Sequence, residues 1–131
     1  MDCISHLSLP VSNLERSRRF YESVLGAETG RVTDDWIDIW LYGMQLTLQR
    51  GTAIADTQAR RDFHFGATLP WTGWEQERDR LIALDAEFIS APATNEARRE
   101  AKMYLSDPDG YVIEIKAYRN LRERLRPPMM D

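Results

Sequence analysis

The sequence of 131 residues contains one cysteine, Cys3, and only two histidines, His6 and His64. A single thiol excludes a disulfide within the chain and favours a reducing compartment, so we expect a cytoplasmic protein. No apolar run approaches the roughly 20 residues of a membrane span, and the first residues show no signal-peptide pattern. We therefore expect no association with a membrane.

Charge of neither sign dominates, because 17 Lys and Arg residues stand against 21 Asp and Glu residues, giving a formal net charge of −4. The densest basic run is the tail, residues 119–131, and a short charged run at an end is usually solvated. Without a basic stripe we expect no nucleic-acid partner. With 43% hydrophobic residues, the chain can build the core of one compact unit or of two small halves that share one.

The first half predicts a strand, a helix and two further strands. Residues 4–11 alternate, with His6 and Ser8 on one face and Leu7 and Leu9 on the other. The remaining predictions are a capping box at Ser12–Glu15, a helix to Leu25 ended by Gly26, strands at Trp36–Leu41 and Met44–Gln49 around a turn at Tyr42–Gly43, and a polar linker at 51–62.

The second half repeats this order. Its predicted elements are a strand at Phe63–Leu69, a capping box at Thr72–Glu75, a helix from Trp74 to about Leu84, a short strand at Phe88–Ile89, a polar loop at 91–100, and strands at Lys102–Ser106 and Tyr111–Ala117 around the turn Asp107–Gly110. Two copies of one supersecondary unit indicate a duplication. We predict a single domain of two modules, at about 1–50 and 62–118, followed by the tail 119–131.

The repeat places four side chains at equivalent positions: His6, Thr47, His64 and Glu114. Glu114 lies in the middle of an apolar strand, where a carboxylate costs free energy unless a cation meets it. Two imidazoles and one carboxylate form the facial set that non-haem Fe(II) favours, and the set also accepts Mn(II), Zn(II) or Ni(II). We therefore predict that His6, His64 and Glu114 bind one divalent metal ion. Each taken alone has a structural alternative, such as a strand histidine bonded to a carbonyl, or an ion pair of Glu114 with Arg98.

These motifs resemble the vicinal oxygen chelate superfamily of glyoxalases, extradiol dioxygenases, fosfomycin-resistance transferases and bleomycin-resistance proteins. The resemblance rests on four stretches of the sequence: HLSLPV at 6–11, RFYESVLG at 19–26, His64, and DPDGYVIE at 107–114. It implies an α+β fold of two βαβββ modules, each curling a mixed or antiparallel sheet into a cup, and commonly a homodimer.

Within that superfamily, Thr47 stands where glyoxalase I enzymes normally carry a fourth ligand, a glutamate. The whole chain resembles small proteins described as predicted extradiol-type dioxygenases, so we predict ring cleavage of a vicinal-diol or catecholic substrate, with Fe(II) favoured. A fosfomycin-type thiol transferase or a glyoxalase-like lyase or isomerase is the alternative. In both the dioxygenases and the fosfomycin transferases a tyrosine lies beside the ion, and Tyr104 matches it as the predicted catalytic residue.

Four further residues are predicted to bind substrate. Ser8 shares the face of His6, and Gln45 shares the face of Thr47. Arg98 lies in a polar loop that could close over an anionic substrate, although a solvated charged run is the simpler explanation of that loop. That loop does not match the phosphonate and potassium residues of fosfomycin transferases.

A binding protein without a metal is the alternative from another class, since bleomycin-resistance proteins bind a drug between tryptophan walls. This chain has four tryptophans, at 36, 40, 71 and 74. Its two histidines and its strand carboxylate favour the metal enzyme, because a carrier that only sequesters a drug has no need of ligands.

Overall fold

Two four-stranded sheets with the same strand order make up the fold in the computed structural model, which describes residues 2–128. The first sheet has the order β1-β4-β3-β2 and the second has the order β5-β8-β7-β6. The elements are β1 His6–Val11, α1 Leu14–Ser23, β2 Glu28–Val32, β3 Trp36–Leu41, β4 Met44–Arg50, α2 Thr57–Asp62, β5 His64–Thr68, α3 Trp71–Ala83, β6 Phe88–Asn95, β7 Glu100–Ser106, β8 Val112–Tyr118 and α4 Leu121–Leu125.

The first sheet is mixed, because β1 pairs parallel with β4 while β3 pairs antiparallel with both β4 and β2. The hairpin between β3 and β4 turns at Tyr42 and Gly43, whose φ angles are +48° and +77°. Two successive positive φ values mark a two-residue turn of type I′, whose twist matches that of the strands it joins. The α+β prediction with strand, helix and strands in each half is confirmed.

Contacts divide the described residues into two units. The first comprises the chain up to His64 together with Ser106–Val112, and the second comprises Phe65–Leu105 together with the chain from Ile113 onward. The buried apolar side chains of the first unit include Leu9, Val11, Leu14, Tyr21, Leu25, Ile37, Ile39, Leu46 and Leu48. Those of the second include Trp74, Leu81, Met103, Leu105, Ile113 and Ile115. The module boundaries at 1–50 and 62–118 stay a prediction.

Both predicted capping boxes are wrong. Helix α1 is capped by Asn13, whose side chain accepts from the backbone of Arg16, while the Ser12 hydroxyl donates to Asp109. Helix α3 begins after Pro70 without a side-chain cap. A Ser or Thr three residues before Glu is a local signal, and at Ser12 a hydrogen bond donated to Asp109 in a distant turn overrides it.

Three other expectations are corrected. The stretch 51–62 contains α2, which buries no side chain and is capped by Asp56, so the hydrophobic pattern gave no signal for it. Strand β2 is exposed along most of its length and was missed for the same reason. Strand β6 continues to Asn95, well into the stretch predicted as a loop.

The tail contains α4, and its last residues, 129–131, lie outside the described part of the chain. Within residues 2–128 no helix is long and apolar enough to cross a lipid bilayer.

Candidate functional site

The two histidines occupy equivalent places in their sheets. His6 is the first residue of β1, which lies beside β4, and His64 is the first residue of β5, which lies beside β8. The His6 ring places Nδ1 3.3 Å from the Gln45 carbonyl oxygen, and the His64 ring places Nδ1 3.1 Å from the Asp62 carbonyl oxygen. A protonated Nδ1 that donates to a carbonyl leaves the lone pair on Nε2, which is how metal-binding histidines are commonly oriented. Both rings therefore fit the role of ligand.

Glu114 lies in the middle of β8 and is 8% exposed. The Tyr104 hydroxyl, on β7, hydrogen-bonds to its carboxylate, and Lys116 Nζ lies 3.6 Å from its Oε1. Burial, with this hydrogen bond as the second cause, raises the pKa of Tyr104 to about 12. The phenol is therefore protonated at neutral pH and is available as a donor beside Glu114. The structure brings the predicted catalytic and carboxylate residues together, and the predicted alternative partner of Glu114, Arg98, instead pairs with Glu100.

The chemistry of the donor set fits a divalent transition metal, because imidazole nitrogen and carboxylate oxygen are its usual ligands. His6 and His64 belong to the first unit and Glu114 to the second. Among residues 2–128 of a single chain, no three His, Cys, Asp or Glu side chains are grouped so that they could hold an ion. The joint role of the three residues is therefore taken up as a proposal below.

In the first sheet, Thr47 makes a contact that the sequence did not indicate. Its hydroxyl donates to Asp38 Oδ1 at 2.7 Å, and Asp38 is only 3% exposed. Arg31 approaches the other carboxylate oxygen, Oδ2, with both Nε and Nη2 at 2.7 Å. Burial alone would raise the pKa of Asp38, but hydrogen bonds from Thr47, Arg31 and Gln45 outweigh it and lower the pKa below its usual value. Asp38 was missed as a site residue, although a carboxylate inside an apolar strand is the signal that identified Glu114.

An open cavity of about 230 Å³ lies on this face of the first sheet. It is lined by the predicted metal ligand His6 and by two predicted substrate-binding residues, Gln45 and Thr47. The other lining residues are Arg31, Trp36, Asp38 and Gln49. Ser8 pairs in register with Thr47 on the neighbouring strand but does not line the cavity. The cavity therefore contains both hydrogen-bonding amides and an anchored guanidinium beside His6.

Arg98 lies in a different cavity, of about 210 Å³, in the second unit. Its guanidinium Nε is 3.4 Å from Glu100 Oε1, and Arg124 Nη2 is 3.2 Å from Oε2 of the same residue. The cavity is lined by Ala97, Arg98, Arg99, Asn120, Glu123 and Arg124. The structure thus assigns Arg98 to an exposed ion-pair cluster around Glu100, and its predicted role toward a substrate stays a prediction.

Comparison with known protein families gives one match, to the family described as Glyoxalase/Bleomycin resistance protein/Dioxygenase superfamily, over residues 3–115. The chain belongs to this superfamily. The predicted resemblance is confirmed at this level, and the match spans both sheets apart from the end of β8.

Two curated relatives of this superfamily chain are named metallothiol transferase FosB. The one from Lysinibacillus sphaericus is 29% identical over 115 residues, covering 86% of this chain and 79% of its own length. The one from Staphylococcus saprophyticus is 25% identical over 113 residues, which cover 86% of this chain and 74% of its own length. These names agree with the predicted alternative, a thiol transferase, rather than with a dioxygenase.

Solved structures agree on the fold. A glyoxalase/bleomycin resistance protein/dioxygenase from Alicyclobacillus acidocaldarius has a TM-score of 0.76 at 21% identity, covering 92% of this chain and 95% of its own. The fosfomycin resistance protein FosX from Listeria monocytogenes has a TM-score of 0.74 at 19% identity, and the match covers 95% of this chain and 98% of that one. At these identities the likeness concerns architecture alone, and the extradiol dioxygenase activity stays a prediction.

Proposed function

We propose that this protein is a metal-dependent thiol transferase of its superfamily, acting on a small electrophilic substrate. The similarity to two metallothiol transferases along 86% of the chain carries the proposal. In such a reaction the thiol loses its proton and its sulfur bonds to an electrophilic carbon, while the bond from that carbon to an oxygen breaks and the oxygen gains a proton, so that no net proton is consumed. The chain's own residues have to bind the electrophile, orient it and supply that proton.

His6, His64 and Glu114 are proposed to hold the ion. Once bound, a divalent ion supplies positive charge that polarises a substrate oxygen. The carbonyl contacts of the two Nδ1 atoms support this role, because they orient the rings and fix the tautomer that leaves a lone pair on Nε2. The set suits Fe(II), Mn(II), Zn(II) and Ni(II), so metal identity is measured by reconstitution with each.

Tyr104 is proposed to handle the proton. Its hydroxyl lies at the Glu114 carboxylate and its pKa of about 12 keeps the proton on Oη at neutral pH. A neutral phenol at this place can donate a hydrogen bond to an oxygen that gains negative charge as its bond to carbon breaks. The carboxylate of Glu114 holds the hydroxyl in position, and Lys116 adds a positive charge nearby.

The proposal includes a homodimer and a site built from two chains, because the ligands of one chain divide between its two units. Mixing inactive His6→Ala chains with inactive Glu114→Gln chains tests this. If His6 of one chain completes the site of its partner, each mixed dimer contains one intact site, and refolding an equal mixture restores about one quarter of wild-type activity. A site formed within one chain gives no recovery, since every site then lacks one ligand.

The activity itself is tested with protein reconstituted with each metal, a set of low-molecular-weight thiols, and fosfomycin as the electrophile, with mass spectrometry of the adduct. We expect adduct formation that requires both metal and thiol. Oxygen uptake with catechols, and no thiol adduct, would overturn the transferase and support the extradiol dioxygenase prediction. Binding of a drug without metal or turnover would support a sequestering protein.

A further inference from the structure

The guanidinium of Arg31 is held in one orientation although its side chain is 71% exposed. Nε and Nη2 both contact Asp38 Oδ2 at 2.7 Å, and the guanidinium carbon lies 4.9 Å from the centre of the Trp36 ring. An exposed arginine normally samples many rotamers, and an exposed ion pair contributes little to stability. Contacts on one edge and one face therefore orient this cation without burying it.

The anchor of this cation is itself fixed. Asp38 Oδ1 accepts from the Thr47 hydroxyl, and Gln45 also hydrogen-bonds to the carboxylate. Asp38 lies on β3 directly opposite Thr47 in the register of the two strands. The acceptor capacity of the carboxylate is thus used within the sheet, and Asp38 acts on the cavity through Arg31.

Arg31 lines the cavity of about 230 Å³. In the part of the chain that the structure describes, the hydrogen bonds of this guanidinium run through Nε and Nη2, which leaves the Nη1 edge for a ligand. The amides of Gln45 and Gln49 line the same cavity. At roughly 30 Å³ per water molecule, its volume corresponds to about seven or eight waters, the size of a small substrate or of the end of a larger one.

We propose that Arg31 is a specificity-determining residue that binds an anionic oxygen group of a substrate, a carboxylate or a phosphonate, in this cavity. Asp38 is the residue that positions it. A planar guanidinium with one donor edge open matches the geometry of such groups, and its contacts with Asp38 and the Trp36 ring restrict its orientation. The inference deepens the proposed function, because it adds the class of substrate to the proposed reaction, and it rests on that function only for the step that follows binding.

Binding of simple anions tests the proposal without turnover. Acetate, methylphosphonate and neutral glycerol are titrated into the full-length protein, as purified and again with a chelator, and binding is followed by calorimetry and by tryptophan fluorescence. Trp36 contacts Arg31, so its emission should report occupancy. The two anions separate carboxylate from phosphonate recognition, and the chelator separates binding at Arg31 from binding to a metal ion.

Three variants complete the test: Arg31→Gln, Asp38→Asn and, as a control, Arg61→Gln. Arg61 is exposed on α2, so its replacement changes the net charge equally without touching the cavity. We expect Arg31→Gln to weaken anion binding at least about tenfold, with or without chelator, and Arg61→Gln to leave it unchanged. We expect Asp38→Asn to weaken it less, because the guanidinium remains but is no longer oriented.

Equal anion affinity in wild type and Arg31→Gln would overturn the proposal, as would glycerol binding as tightly as the anions, or anion binding that disappears with the chelator. Each of these results leaves the transferase assay unaffected. Conversely, chelator-resistant binding through Arg31 combined with no thiol adduct would retain this subsite and overturn the proposed reaction.

Discussion

Each sheet has a histidine at the start of its first strand, and each has a carboxylate and a hydroxyl on two neighbouring strands. The carboxylate and the hydroxyl exchange strands between the two sheets. In the first sheet the carboxylate is Asp38 on β3 and the hydroxyl donor is Thr47 on β4. In the second sheet the carboxylate is Glu114 on β8 and the donor is Tyr104 on β7. Each sheet therefore buries one carboxylate against a hydroxyl on the neighbouring strand.

The cationic side chains beside the two carboxylates differ between the sheets. Arg31 contacts Asp38 twice at 2.7 Å, whereas Lys116 approaches Glu114 only to 3.6 Å, beyond hydrogen-bond distance. Asp38 is thus committed to orienting an arginine, whereas Glu114 accepts a hydrogen bond from Tyr104 and has Lys116 at a longer distance. The two halves of the repeat therefore give their buried carboxylates different cationic neighbours.

The largest difference is expected between removing one carboxylate and removing the other. Glu114→Gln should lower metal affinity by more than about 100-fold and abolish transfer activity, because replacing a residue that only supports a ligand already costs 10–100-fold. Asp38→Asn should retain the metal. Elemental analysis and metal titration of both variants measure this, and equal metal loss in the two would remove the distinction between the sheets.

The packing of the second sheet gives the next largest effect. A Cβ placed on Gly66 would lie 1.8 Å from the backbone oxygen of Glu114, whereas one on Gly51 would approach Pro10 Cβ to 3.6 Å and the Gln49 carbonyl oxygen to 4.0 Å, which are ordinary contacts. Gly66→Ala should therefore lower the free energy of unfolding by about 3 kcal/mol, since backbone cannot move aside cheaply. Gly51→Ala, the matched control, should have little effect. Urea unfolding of both compares them, and equal stability would contradict the close approach of β5 to β8.

Tyr104→Phe should lower kcat by about 30–100-fold and change KM little, because the lost group is a proton donor beside Glu114 and not a binding contact. Thr47→Val, at the corresponding hydroxyl of the first sheet, should change kcat much less. Steady-state kinetics of the two variants provide the comparison. Equal losses of kcat and of substrate binding in Tyr104→Phe would contradict a role in proton transfer.

The smallest expected effect is a pH dependence of stability that belongs to the first sheet. Hydrogen bonds outweigh burial and lower the pKa of Asp38, so the carboxylate stabilises the folded state above its unfolded pKa of about 3.9. This contribution is lost as the pH falls from there through the lower pKa of the folded state. Asp38→Asn should remove that part of the acid destabilisation. Unfolding curves of wild type and Asp38→Asn from pH 7 down to about pH 2 measure it, and parallel curves would refute it.

Much of the fold follows from local pattern. Alternation over residues 4–11, the turn at Tyr42 and Gly43, and the recurrence of a strand histidine in each half predicted the two sheets, because a strand with one buried face must alternate. Elements without a buried face could not be predicted in this way. Strand β2 and helix α2 expose nearly all their side chains, so nothing in their hydrophobic pattern distinguishes them from loops.

By itself the sequence determined that one carboxylate sits inside the last strand and that two histidines recur at the start of equivalent strands. Only the tertiary structure decided that Asp38 faces Thr47 and Arg31, and that Ser12 bonds to Asp109 instead of capping a helix. The physical reason is that these contacts join residues on different strands or turns. Their formation depends on strand register and on the burial of charge, which no local propensity specifies.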